Sequence, residues 1–156
     1  MNLGVLMCLH INDNDLLFKK SLNSLIAQID KNFEFLLIAD GELKESQENI
    51  ISEYKRILLK EGIEFKLIRN EYCLGHGMTR HIGVINMSSD IIVINDSDDI
   101  SHPDRLKEIR KAFELFDEIS IFTTSVIEKD ILKDKFFGIK SVPLNHEEVV
   151  NNIINK

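Results

Sequence analysis

Cysteine is scarce: Cys8 and Cys73 are the two in 156 residues. Two thiols cannot build a disulfide framework, and this pair lacks the short spacing of a metal site, so a reducing, cytosolic compartment is the simplest inference. No apolar run approaches the length of about 20 residues that a membrane helix needs. The first such run, Leu3 to Leu9, is short and has no basic segment before it, which excludes a signal peptide as well as a span. Basic charge is outnumbered, 19 Lys and Arg against 26 Asp and Glu, for a net charge of −7. That balance excludes a nucleic-acid partner held by phosphate neutralisation and disfavours strong attachment to anionic lipid. No histidine pair has ligand spacing with a third ligand beside it, which argues against zinc. Cys73 lacks an adjacent base, which argues against a thiol nucleophile. Internal repeats, low-complexity tracts and linkers are also missing.

What remains is an ordinary globular composition, 44% apolar and 29% charged, long enough for one domain with a buried core. Leu3 to Leu9, Phe33 to Ala39, Glu64 to Arg69, Ile91 to Ile94 and Ile119 to Val126 read as five strands, the third more amphipathic and nearer an edge. Between them lie stripes of helical period. Phe18, Leu22, Leu25, Ile26 and Ile29 follow an N-cap at Asn14 or Asp15, and Ile50, Tyr54, Ile57 and Leu58 end near Gly62. Met78 to Met87 is a short helix. Leu106, Ile109, Phe113 and Phe116 follow Ser101-His102-Pro103-Asp104, which has the form of a capping box. Strand and helix alternate, so the expected fold is α/β, with a largely parallel sheet and helices on both faces.

The most informative stretch is Asp96-Ser97-Asp98-Asp99, which follows the β-branched run Ile91 to Ile94 and Asn95. In an open parallel sheet the ligand crevice lies beyond the carboxyl ends of the strands, and this cluster falls at that address. Like charges so close repel unless a cation joins them, and oxygen-only ligands suit Mg²⁺ or Mn²⁺. The alternative is a solvated acidic turn before a helix. Three more segments share the edge: His10-Ile11-Asn12-Asp13-Asn14, Asp40-Gly41-Glu42, and Arg69-Asn70 running into Leu74-Gly75-His76-Gly77-Met78-Thr79-Arg80-His81. Acids that take base and ribose donors, a metal for a diphosphate and Arg80 to offset its charge together describe a nucleoside diphosphate site. Asp40 could instead be a strand-ending turn residue, Arg80 a surface partner of Asp90 or Glu71, and His10 a satisfied strand-end histidine.

With these landmarks in order, the chain resembles the family 2 glycosyltransferases of GT-A fold, and more narrowly the bacterial O-antigen and capsule type. Pro103-Asp104-Arg105 and Val142-Pro143-Leu144-Asn145-His146-Glu147-Glu148 extend the likeness. The resemblance implies a Rossmann-like nucleotide-sugar-binding domain over residues 1–127, with 128–156 opening an acceptor-side segment. It implies inverting transfer of a sugar from a nucleoside diphosphate sugar, UDP-linked by preference, to a glycan or lipid-linked glycan acceptor, at or near the inner face of the membrane. By the same resemblance Asp40 meets the base, His10 lies beside it, and Arg80 lies near the diphosphate. Asp96 holds ribose and metal, and Asp98 and Asp99 share the metal. The sequence departs from the family in having Ala39-Asp40 where two acids are common, and His10 where Tyr is usual. No general base stands out after Asp130. The chain therefore reads as truncated before the acceptor half, binding donor but transferring poorly, and self-associating to cover apolar surface. The competing readings are a non-catalytic nucleotide-sugar-binding module and a Mg²⁺-dependent phosphoryl-transfer domain. The second is disfavoured because the acids follow the fourth strand and no obvious lysine follows the fifth.

Overall fold

The computed structural model describes residues 1–130 and 133–142, which fall in two compact units divided after Leu115. The first unit contains β1 (Leu3–Leu9), α1 (Asp15–Ile26), β2 (Phe33–Ala39), α2 (Glu45–Lys60), β3 (Glu64–Arg69), α3 (His76–Asn86), β4 (Ile91–Ile94) and α4 (Arg105–Leu115). Its four strands form one parallel sheet in the order β3-β2-β1-β4. Every residue of β1 and β2 is buried. That is why both strands read as near-continuous apolar runs, broken in β2 by Glu34 alone, rather than as alternations.

Period-two geometry sends alternate side chains to opposite faces. Val5, Met7, Leu9, Phe35 and Leu37 meet Phe18, Leu22 and Leu25 of α1, Ile50, Tyr54 and Leu58 of α2, and Leu106 and Ile109 of α4. Leu6, Leu36 and Ile38 face the other way, onto Ile82 of α3 and Met87 after it. Helices thus cover both faces, as the alternation implies. Asn14 caps α1, its side chain accepting from the N–H groups of Leu16 and Leu17. The Arg110 guanidinium ties α4 to two segments, bonding Asp30 at 2.6 Å and the Asn32 carbonyl at 2.6 Å in the loop before β2, and the Met1 carbonyl at 2.7 Å.

Several expectations are corrected, among them Ile29, which lies beyond α1 and is exposed. Ile119 to Val126 is not a fifth strand of the sheet: residues 119–125 have no regular structure, and Ile121 is 84% exposed. Without a ladder partner, β-branched residues do not make a strand. The second unit instead holds an antiparallel hairpin, β5 (Val126–Asp130) with β6 (Lys135–Lys140). Nor is Ser101 the start of a capping box, because α4 begins at Arg105 and the Ser101 hydroxyl turns inward to Asn95. Phe116 lies beyond α4 and is exposed, so the core-facing stripe ends at Phe113. The helix expected from His146 lies outside the described residues. No helix among the described residues is long and apolar enough to cross a membrane.

The seat of α3 on the sheet depends on a missing side chain. A Cβ at Gly83 would come within 2.4 Å of the Leu6 side chain, which is fully buried, whereas one at Gly77 meets nothing within 4 Å. Replacing either glycine by alanine gains about 0.5–1 kcal/mol of helix propensity, less near the helix start. Crowding in a packed core loses about 1–3 kcal/mol. Urea unfolding should therefore find Gly83→Ala less stable than the parent and Gly77→Ala equal or more stable.

Candidate functional site

Parallel register places the ends of the strands side by side. Leu9 is level with Ala39, Ala39 with Arg69, and Leu6 with Ile94. The ladder continues past each end, Asp40 N–H donating to Leu9, Asn70 N–H to Ala39 and Asn95 N–H to Leu6. His10, Asp40, Asn70 and the acidic loop after β4 therefore share the carboxyl edge, as the strand assignments imply.

Asp40 is 4% exposed. Its Oδ1 accepts from Leu74 N–H at 2.8 Å and the Asn70 amide at 3.0 Å. Oδ2 accepts from Gly75 N–H at 3.0 Å and the Cys73 thiol at 3.4 Å. Burial works to raise its pKa. The hydrogen bonds from Leu74 N–H, Asn70, Thr79 and Cys73 override burial and hold the carboxyl well below the usual carboxylate range. Two glycines permit this closure. Gly41 has φ of 90° and would press a side chain to within 2.9 Å of Cys73 N, and Gly75 turns into α3 at φ 82°. Both oxygens of Asp40, the residue expected to meet the base, are thus engaged by its own turn.

The turn fixes the start of α3 and hence Arg80, whose Nη2 donates to Asp96 Oδ1 at 2.5 Å. The surface partners considered for Arg80, Asp90 and Glu71, are not the ones it takes. Its Nε is buried and has no acceptor among the described residues. Beneath the acidic loop lies a polar network that no sequence motif announced. The Asn95 amide donates to Ser21 Oγ at 2.9 Å and to the Asp96 carbonyl, and Ser21 Oγ donates to that same carbonyl at 3.1 Å. Ser101 Oγ and Arg105 Nη1 donate to Asn95 Oδ1 at 2.6 and 2.8 Å, and Arg105 Nη2 donates to the Ile94 carbonyl. Asp13 ties the loop from the β1 side, its Oδ2 accepting from Ser97 Oγ at 2.8 Å and His10 N–H at 2.9 Å. The signal for these contacts was the concentration of short polar residues at strand ends, which names no partner.

Asp98 and Asp99 are exposed and Asp96 is half-buried. Asp99 loses hydration within the loop and feels the charges of Asp98 and Asp96, which together raise its pKa. The three carboxylates are not a ready cage: among the described residues no three His, Cys, Asp or Glu are gathered to hold a metal. Like charges splay apart, and Asp96 has turned to Arg80. His10 Nδ1 accepts from Asn12 N–H at 3.2 Å, which leaves Nε2 as the donor of the neutral ring. Gln47, fully buried, donates to the His10 carbonyl at 3.1 Å and completes the first loop. The Cys8 thiol on the floor is pushed up to about 11 by burial and by Asp96, Asp40 and Asp13, against the opposing pull of Arg80, and is inert.

Comparison with known proteins bears on the fold. The family model described as glycosyl transferase family 2 matches residues 11–141. An Escherichia coli UDP-Gal:α-D-GlcNAc-diphosphoundecaprenol β-1,3-galactosyltransferase is 26% identical over 140 residues, 90% of this chain and 49% of its own. Residues 1–349 of S. aureus TarS, solved with UDP-GlcNAc, superpose with TM-score 0.63 at 20% identity, over 74% of this chain and 32% of that one. The mannosyltransferase PcManGT of Pyrobaculum calidifontis, solved with GDP-Man and Mn²⁺, gives TM-score 0.63 at 13% identity, over 83% of this chain and 36% of that one. These two share the fold. The chain spans about half, or less, of the length of the curated relatives it matches.

Asp40→Asn puts an NH₂ where a donor already points, whichever oxygen it replaces. Losing charged hydrogen bonds to a buried group costs about 1.5–3 kcal/mol, readable as a fall in urea midpoint at neutral pH. The native pKa is depressed, so the contribution is present above the unfolded value and lost as pH falls through the native one. Below about pH 4 the gap between parent and variant should narrow. Asp30 and Glu34 are lowered too, but they are common to both proteins and cancel in that difference.

Proposed function

The chain belongs to glycosyl transferase family 2, and from that premise we propose that its carboxyl-edge crevice binds a nucleoside diphosphate sugar, UDP-linked by preference, as the donor of an inverting sugar transfer. The observation that carries this reading is the juxtaposition of Asp96, Asp98 and Asp99 with Arg80 at the ends of four parallel strands. A guanidinium beside a carboxylate cluster suits a diphosphate, which needs positive charge on one side and a metal on the other. The preference for uridine follows the E. coli relative, whose name gives UDP-Gal as its donor.

Asp98 and Asp99 are exposed, oxygen-only and crowded by like charge, so they fit a hard divalent cation, Mg²⁺ or Mn²⁺, which PcManGT was solved with in the second form. With no three-ligand cage among the described residues, such an ion would take its remaining ligands from Asp96, water and the diphosphate. When bound, the ion offsets the negative charge that builds on the leaving diphosphate. The protein's own part is positional. Arg80 meets the diphosphate, His10 Nε2–H offers a donor beside the nucleoside, and the turn held by Asp40 shapes the wall rather than reading the base. The acceptor is a glycan or a lipid-linked glycan, in surface polysaccharide synthesis.

Calorimetry with UDP, GDP and dTDP in Mn²⁺ and in chelator tests the reading. UDP should bind at least about tenfold more tightly with Mn²⁺, equivalent to about 1.4 kcal/mol. Asp98→Ala should erase that gain while its thermal midpoint stays at or above the parent's, since the change relieves repulsion. Equal affinity in Mn²⁺ and in chelator for the parent would sink the donor-site reading.

A further inference from the structure

Arg80 is bonded where a metal would be. Its Nη2 sits 2.5 Å from Asp96 Oδ1, occupying a carboxylate oxygen that a divalent ion would need. The pair is open to water, with side-chain exposures of 37% and 40%, so it is weakly held and exchangeable. Arg80 also carries a buried Nε–H without an acceptor, an unfavourable arrangement that a move onto another anion relieves. Asp96 itself does not depend on Arg80 for its place, because Ser21 and the Asn95 amide grip its main-chain carbonyl. Arg105, the other guanidinium nearby, cannot leave: it is committed to Asn95, Ser101 and the Ile94 carbonyl.

We propose that Arg80 is the resident counter-cation of Asp96 and transfers to the diphosphate when nucleotide and metal arrive together, so that this chain binds a divalent ion only weakly until nucleotide is present. The inference rests on the donor-site reading and adds an order to it. A cation approaching alone must displace a guanidinium that has nowhere better to go. A diphosphate supplies that place, accepting from two donors of one planar fork. Metal and nucleotide are then coupled through one side chain, and the coupling is reciprocal.

The test is a Mn²⁺ titration followed by electron paramagnetic resonance, with and without saturating UDP, on the parent, Arg80→Ala and Arg80→Lys. The parent should bind Mn²⁺ at least about tenfold more tightly in the presence of UDP. Arg80→Ala should bind Mn²⁺ alone about tenfold more tightly than the parent and lose most of the gain from UDP. Arg80→Lys, which keeps a cation beside Asp96, should resemble the parent for Mn²⁺ alone. Arg80→Gln, closer in shape, repeats the measurement if the alanine variant is poorly folded by circular dichroism. If the parent shows the UDP-dependent gain but removing the Arg80 charge leaves affinity for Mn²⁺ alone unchanged, the counter-cation role is wrong and the donor site stands. If UDP gives the parent no gain, both fall.

Discussion

The carboxylate of Asp40 is the interaction on which the rest of the edge depends. It is buried, charged and surrounded by donors from a segment some thirty residues further along the chain. An ionised group in that position is tolerable only while its hydrogen bonds are made. The constraint therefore runs both ways: Asp40 requires the Leu74-Gly75 turn, and the turn gains from Asp40 an acceptor for both of its N–H groups. From that closure follow the starting point of α3, the rotation that presents Arg80, and the meeting of Arg80 with Asp96.

A second support works from below. Three carboxylates in four positions would push a loop open, yet this loop is anchored by its main chain rather than by its charges. Ser21, Asn95, Ser101 and Arg105 bond carbonyls and one another under it, and Ser97 is tied to Asp13 across the crevice. Asp98 and Asp99 are left exposed and Asp96 free to meet Arg80, because other groups hold the backbone. Separating the holding role from the facing role lets a like-charged cluster persist in a folded chain.

Much of this was legible from residue order, and the failures have physical causes. Buried parallel strands announce themselves as apolar runs, so Leu3 to Leu9, Phe33 to Ala39 and Ile91 to Ile94 were plain, as was their shared edge. Ile119 to Val126 looked equally strand-like, but strand character in a short run is a property of its partners, and the sequence does not name partners. Ser101 fitted a cap by spacing, yet a hydroxyl takes the nearest strong acceptor, and that was Asn95. Asp40 stands out in sequence as an acid at a strand end, but its bonds to its own turn do not, because their donors lie some thirty residues further along. Asp13 and Arg105 lay in segments that the sequence singles out, but their partners, Ser97 for the one and Asn95 and Ser101 for the other, were not legible in it.

The contrast between the two cysteines has a practical side. Cys8 is buried with a thiol raised to about 11, whereas Cys73 is exposed and its sulfur lies 3.4 Å from Asp40 Oδ2. A thiol reagent at neutral pH thus has one accessible target, already stationed on the turn that positions α3. A small environment-sensitive fluorophore placed there would take the thiol hydrogen from Asp40 Oδ2, leave Gly75 N–H as that oxygen's donor, and report on the turn without an engineered cysteine.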